Sequence, residues 1–191
     1  MHLLLISGST RAGSTNTAVL RTAGAVVPSG VTSVLYTGLA TLPAFNPDDD
    51  FAPLPSAVAD LRQHIAAADA VLFCTPEYAG ALPGSFKNLL DWTVGGGELY
   101  GKHVAWINAA SLAAPTRATD AHASLARVLG YVGAVVVEPA CARISVGREV
   151  VGTDGQIGDP AIRTQIADVL ETLVQHLSAT GSGSGESLDE R

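Results

Sequence analysis

Short apolar runs alternate with longer amphipathic stretches along nearly the whole chain. Residues 2–7 (HLLLIS) are apolar almost throughout, the pattern of a strand covered on both faces. A Gly/Ser/Thr loop follows, and the spacing then predicts a helix over 15–27, stopped by Pro28-Ser29-Gly30. Residues 31–37 alternate in the manner of an edge or half-buried strand. Further strands are expected over 70–75, 102–109 and 133–138, and further helices over 56–68, 83–94, 116–131 and 160–177. Ser56 offers an N-cap, Pro83 suits a first helical turn, and Gly95-Gly96-Gly97 is a stop. The segment 38–55, with Pro43, Pro47, Pro53 and Pro55, reads as an ordered surface loop, and its Asp48-Asp49-Asp50 as a solvated turn. Residues 140–157 read as a short strand or a hairpin around Asp154-Gly155. Residues 180–191 have nothing to bury and are expected to be disordered, which leaves 1–179 as a single domain. Five strand–helix units predict a doubly wound five-stranded parallel sheet with helices on both faces. Such sheets bind ligands beyond the carboxyl ends of their strands, so the chemistry is expected after strands 1, 3 and 4.

Composition narrows the partners. The chain has 191 residues, 47% hydrophobic and 15% charged, as an ordinary globular domain does. The apolar start lacks a basic flank and is too short for a signal peptide, and no run reaches a membrane span. A cytoplasmic location is the resulting expectation. The formal net charge of −7, with no run of lysines or arginines, argues against nucleic acid or an anionic membrane as partner. Cys74 and Cys141 show neither CxxC nor zinc-ligand spacing and read as buried free thiols.

The loop after strand 1 runs Gly8-Ser9-Thr10-Arg11-Ala12-Gly13-Ser14-Thr15-Asn16. Two glycines permit a tight path, the hydroxyls and the Asn16 amide supply donors, and Arg11 supplies a charged fork ahead of a helix N-terminus. That is what a phosphate dianion requires, although a hydroxyl-rich turn with a helix cap has the same composition. A P-loop is excluded because Ser14 stands where its lysine belongs, the GxGxxG fingerprint is missing, and no nucleophilic cysteine is present.

After strand 3 the chain reads Thr75-Pro76-Glu77-Tyr78-Ala79-Gly80-Ala81-Leu82-Pro83-Gly84-Ser85-Phe86-Lys87-Asn88-Leu89-Leu90-Asp91-Trp92. With GSxRxxSxN after strand 1 and TPEYxxxxPGxxKNxxDW after strand 3, the chain resembles the NADPH-dependent FMN reductase family over residues 2 to about 177. That family includes flavin, quinone, azo and chromate reductases on a flavodoxin-like fold. The resemblance implies FMN as cofactor and NADPH or NADH as electron donor. It places Ser9, Thr10, Arg11, Ser14, Thr15 and Asn16 at the FMN phosphate, and Pro76, Glu77, Tyr78 and Ala79 along the isoalloxazine ring. Many family members carry asparagine at the position of Ala79 and serine at that of Ala81, so side-chain contacts to the ring are reduced here. Lys87 and Asp91, at i, i+4, read as an ion pair, and Trp92 as core or interface.

After strand 4, Ala109 and Ser111 are expected to border the flavin, as the resemblance implies for small or hydroxyl-bearing residues there. Arg117 reads as a surface charge or as a contact to the anionic donor or substrate. His64, His103, His122 and His176 show no metal-ligand spacing, and no metal site is expected. The implied activity passes hydride through bound FMN to a quinone, flavin, azo compound or metal oxyanion in a ping-pong cycle, with no catalytic side chain. The alternatives are a flavodoxin-type electron carrier and a non-catalytic flavin-binding sensor. The family also implies a homodimer or homotetramer.

Overall fold

Leu3 and Leu5 of the first strand lie on one side of the sheet and Leu4 and Ile6 on the other, and all four are buried. That alternation builds two cores. In the computed structural model, which describes residues 1–110 and 118–182, the sheet consists of β1 (His2–Ser7), β2 (Thr32–Tyr36), β3 (Ala70–Cys74), β4 (His103–Ala110), β5 (Val135–Val136) and β6 (Ala142–Ser145). The order is β2-β1-β3-β4-β5, with β6 also paired to β4, and every pairing is parallel. Helices α1 (Thr15–Ala25) and α5 (Pro160–Ser182) cover one face; α2 (Ser56–Ala67), α3 (Gly84–Asp91) and α4 (Thr119–Tyr131) cover the other. The doubly wound parallel architecture expected from the pattern is the one observed. Among the described residues no helix is long and apolar enough to cross a membrane.

The fifth strand departs from expectation. Instead of one strand over 133–138, β5 pairs with His103–Val104, the chain leaves in a 3-10 turn at Glu138–Ala140, and β6 rejoins β4 alongside Ile107–Ala110. Pro139 has no N–H to give to the ladder, which is a physical reason for the break. The hairpin around Asp154-Gly155 is present, closed by the antiparallel bridge Val151–Ile157.

Helix ends also shift. Pro55 and Pro83 occupy the N-cap positions of α2 and α3, so Ser56 is already helical and does not cap α2, and Pro83 precedes the first turn of α3. α3 stops at Asp91, and α4 starts at Thr119. α1 stops at Ala25, where the Val26 N–H donates to the carbonyls of Thr22 and Ala23. α5 continues to Ser182, with Thr180 Oγ1 donating back to the His176 carbonyl; the segment from 180 is therefore helical at its start. Residues 183–191 lie outside the described residues.

Two polar expectations are corrected. Asp50 is not part of a solvated turn: its Oδ1 accepts from Arg62 Nη2 at 2.6 Å, and both side chains are nearly buried. Cys74 is buried as expected, but Cys141 is only half-buried. Lys87 and Asp91 form the expected ion pair, and Trp92 is a core residue whose Nε1 donates to the Pro43 carbonyl at 2.9 Å.

Candidate functional site

The carboxyl ends of β1 and β3 bring the two loops together. The Gly8 N–H donates to the Cys74 carbonyl at 2.9 Å, extending the β1–β3 ladder into the loops. Gly8 is also where the chains come closest, since an added Cβ would lie 2.2 Å from Thr75 Oγ1 and 2.9 Å from Phe86 Cδ1. Only glycine fits there without displacing the Thr75 side chain and the Phe86 ring.

Beyond Gly8 the loop is held from beneath. Ser7 Oγ lies 2.8 Å from Thr17 Oγ1 and accepts from the Ser9 N–H at 3.3 Å, and Ser9 Oγ accepts from the Arg11 N–H at 3.3 Å. Ser14 is the N-cap of α1, its Oγ accepting from the Thr17 N–H at 3.4 Å. Its hydroxyl proton remains available to a ligand. Asn16 is buried and its Oδ1 accepts from the Cys74 thiol at 3.2 Å, which leaves its amide N–H groups as the part able to donate. Thr10 and Arg11 are exposed, Ser9 and Thr15 partly so, and the Arg11 side chain makes no hydrogen bond or ion pair among the described residues. The first turn of α1 carries no carboxylate, so the positive end of its dipole is not neutralised. This donor set, with one guanidinium and a hydroxyl-capped helix N-terminus, fits a phosphate monoester.

The second loop is a tight hairpin. Tyr78 and Ala81 exchange both backbone hydrogen bonds at 3.1 Å, with Ala79 at φ 52° and Gly80 at φ 70° between them. Positive φ at both central residues is the form of a type I′ turn, for which Asn-Gly is the preferred pair. Alanine pays a steric cost there that asparagine largely avoids. Ala79→Asn is therefore expected to stabilise the protein by about 1 kcal/mol, read as a higher urea midpoint; an unchanged or lower midpoint would contradict the turn assignment.

The Glu77 side chain reaches α4. Its Oε2 accepts from the backbone N–H groups of Asp120 at 3.0 Å and Ala121 at 3.1 Å, at the start of α4. That helix lacks a side-chain cap of its own, because its N-cap is Ala118, in the left-handed conformation. Glu77 caps α4 from across the site and ties it to the β3 loop. Glu77→Ala is expected to cost about 1–2 kcal/mol of stability. Glu77→Gln, which keeps an acceptor, should cost less; equal losses in urea unfolding would argue against capping.

Pro76 is half-buried and Tyr78 is 56% exposed. Ala109 packs toward the α1/α5 core. Ser111 and Arg117 lie outside the described residues.

The sequence pattern did not single out a pocket of about 210 Å³ beside the end of β4, lined by Trp106, Asn108, Thr119, His122, Cys141, Ala142 and Arg143. His122 is 8% exposed and meets the Trp106 ring edge-on at 5.8 Å. Burial pushes its pKa down from 6.5 to about 4, with the Arg143 guanidinium adding to the effect and Glu77 opposing it. The folded state thus keeps His122 neutral, while the unfolded chain takes up a proton as pH falls below 6.5. Stability is expected to drop between pH 6.5 and 4, with about 2 kcal/mol lost to this group by pH 5. Urea unfolding across that range should show a flatter profile for His122→Gln; parallel profiles would contradict the assignment.

Comparison with known proteins places this geometry. The model of the family described as NADPH-dependent FMN reductase matches residues 1–147. The chain belongs to that family. An NAD(P)H-dependent FMN reductase of Pseudomonas aeruginosa is 42% identical over 92 residues, 48% of this chain and 49% of that protein. The chain thus matches about half the length of that relative. A probable NADPH:quinone oxidoreductase of Oryza sativa is 28% identical over 178 residues, 91% of this chain and 87% of the relative. Among solved structures, FerB from Paracoccus denitrificans, a flavoenzyme NAD(P)H:(acceptor) oxidoreductase, superposes with a TM-score of 0.80 at 27% identity, covering 93% of this chain and 97% of FerB. An archaeal flavodoxin shares the fold, with a TM-score of 0.58 at 12% identity, covering 91% of this chain and 99% of its own.

Proposed function

We propose that the chain binds FMN at the carboxyl edge of β1 and β3 and acts as an NAD(P)H-dependent oxidoreductase toward a small quinone-type acceptor. The observation that carries this is the junction at Gly8, where the loop that holds Arg11 and leads into the carboxylate-free N-terminus of α1 meets Cys74, Thr75 and Phe86 at the end of β3 and in α3. Family membership and the FerB likeness support the same reading.

In this scheme FMN supplies the two-electron relay between a reduced nicotinamide and the acceptor. Arg11, Ser9, Thr10, Ser14, Thr15 and the Asn16 amide hold the phosphate. Pro76, Glu77, Tyr78 and Ala79 form the shelf for the ring, Glu77 by fixing the shelf against α4 and the others by backbone and ring surface. Ala109 and Ser111 border the ring from the β4 side, and Arg117 contacts the anionic donor or substrate. Flavin, azo compounds and metal oxyanions remain further acceptors of the same scheme. No side-chain nucleophile or base is required.

Donor and acceptor use one site in turn, so the kinetics should be ping-pong. Steady-state NADPH oxidation with menadione tests this. Parallel double-reciprocal lines are expected; intersecting lines would contradict the shared site, and no turnover by FMN-loaded protein would favour a carrier or sensor. The active form is proposed to be a homodimer or homotetramer in the cytoplasm.

A further inference from the structure

Cys74 meets both ends of the loop that follows β1. Its carbonyl accepts from the Gly8 N–H at 2.9 Å, and its thiol donates to Asn16 Oδ1 at 3.2 Å. Between these two contacts the loop carries Ser9, Arg11 and Ser14. Alternation along β3 puts the Cys74 side chain, with Ala70 and Leu72, in the core on the α1 face, while Val71 and Phe73 lie in the other core. One residue of the middle strand thus clamps the loop by main chain at its start and by side chain at its end.

The thiol contact also decides which end of the Asn16 amide is offered to a ligand. Asn16 is the second residue of α1 and is 9% exposed. With Oδ1 taken by the thiol, the amide nitrogen is left, and it has no hydrogen-bond partner among the described residues. An amide nitrogen donates only, which suits an anion at a helix N-terminus. Turned over, the same side chain would present its carbonyl oxygen to the anion and leave the thiol hydrogen without its acceptor in the core. The sulfur keeps that hydrogen, because burial pushes the Cys74 thiol up, with the Ala109 backbone opposing.

We infer that Cys74 is a positioning residue of the anion cradle: by holding Asn16 Oδ1 it turns the amide nitrogen to the flavin phosphate, and so sets the preference for FMN over unphosphorylated riboflavin. The inference rests on the proposed FMN site. Cys74 acts through Asn16, so loss of the thiol is felt by a ligand that carries the phosphate and not by one that lacks it.

The test compares FMN and riboflavin affinity, each read from quenching of flavin fluorescence, in the native protein and two variants. The native protein is expected to prefer FMN. Cys74→Val keeps an apolar side chain of similar size in the strand and removes the donor. It should weaken FMN about tenfold, the loss of one hydrogen bond to a charged group, and leave riboflavin within about a factor of two. Cys74→Ser keeps a donor and should recover most of the preference. Equal losses of FMN and riboflavin in Cys74→Val would reduce Cys74 to a packing residue and overturn the inference. A measurement on the native protein covers the case in which neither variant folds. The Asn16 side-chain NH2 resonances should shift on titration with inorganic phosphate, and resonances that phosphate leaves unmoved would overturn the inference. Native protein that binds FMN no better than riboflavin would contradict the phosphate site itself and this inference with it. A native preference that survives intact in Cys74→Val counts against Cys74 alone.

Discussion

Arg11→Ala is expected to weaken FMN binding about 30- to 100-fold, because a guanidinium–phosphate contact contributes roughly 2–3 kcal/mol and each 1.4 kcal/mol is tenfold. Arg11 is exposed and its side chain makes no hydrogen bond or ion pair among the described residues, so the flavin-free variant should unfold at the same urea concentration as the flavin-free native protein. Loss of affinity without loss of stability is the signature. Arg11→Lys should recover only part of the affinity, since an ammonium replaces a bidentate fork by a point charge. The contact lies at the surface, so added salt should narrow the gap between native and variant. Quenching of FMN fluorescence on titration measures all of this; a dissociation constant for Arg11→Ala within about a factor of two of the native value would remove Arg11 from the phosphate site.

Arg62→Met is expected to be the most destabilising single change, at about 3–5 kcal/mol. The Arg62 guanidinium joins three segments: it pairs with Asp50 at 2.6 Å and Glu98 at 3.5 Å, and donates to the Trp92 carbonyl at 2.9 and 2.7 Å. All three side chains are at most 14% exposed. Removing the cation leaves two nearly buried carboxylates and one carbonyl without it, and Glu98 Oε2 already has no partner among the described residues. Methionine keeps most of the volume, so the loss reports charge rather than a cavity. For a chain of this size the melting temperature should fall by about 10 °C. Flavin affinity of the folded fraction should not change, because the Arg62 partners, Asp50, Trp92 and Glu98, are not among the residues proposed to hold the flavin. A fall of less than about 1 kcal/mol would mean that the network is worth no more than a surface ion pair.

The parts of the fold that were legible in the sequence are those set by local pattern. β1 and β3 are short apolar runs that end at Gly8 and Pro76, so their ends, and the loops that carry the chemistry, followed directly from composition. The short strand expected within 140–157 is β6, but its pairing with β4 was not legible. Val135–Val137 looks like any strand, and the return of β6 depends on a long-range pairing of Ile107 with Ala142. The role of Glu77 was hidden for the same reason. Motif position put it beside the ring, while its carboxylate caps a helix 43 residues further on. Asn16 likewise sits in the loop by sequence but turns inward to Cys74, 58 residues away. Asn108, with His103 one of the two polar residues of β4, and His122, next to buried Ala121 on α4, line one pocket. Each is ordinary alone, and that both line one pocket follows only from the packing of α4 against the sheet.

Gly80 and Ala79 show how one substitution changes what a motif can do. The I′ turn accepts asparagine at its first central position, and alanine keeps the backbone path while losing the amide. In the proposed site, ring binding would therefore rest on the backbone and on Tyr78, with the phosphate cradle carrying a larger share of the cofactor's affinity.

The central claim is tested most directly by the visible spectrum of the purified, FMN-supplemented protein during anaerobic titration with NADPH. Retention of flavin through gel filtration, followed by stoichiometric bleaching of its absorption band as NADPH is added, is the predicted result. Protein that emerges without flavin would contradict the FMN site itself, and bound flavin that NADPH fails to bleach would contradict the oxidoreductase function.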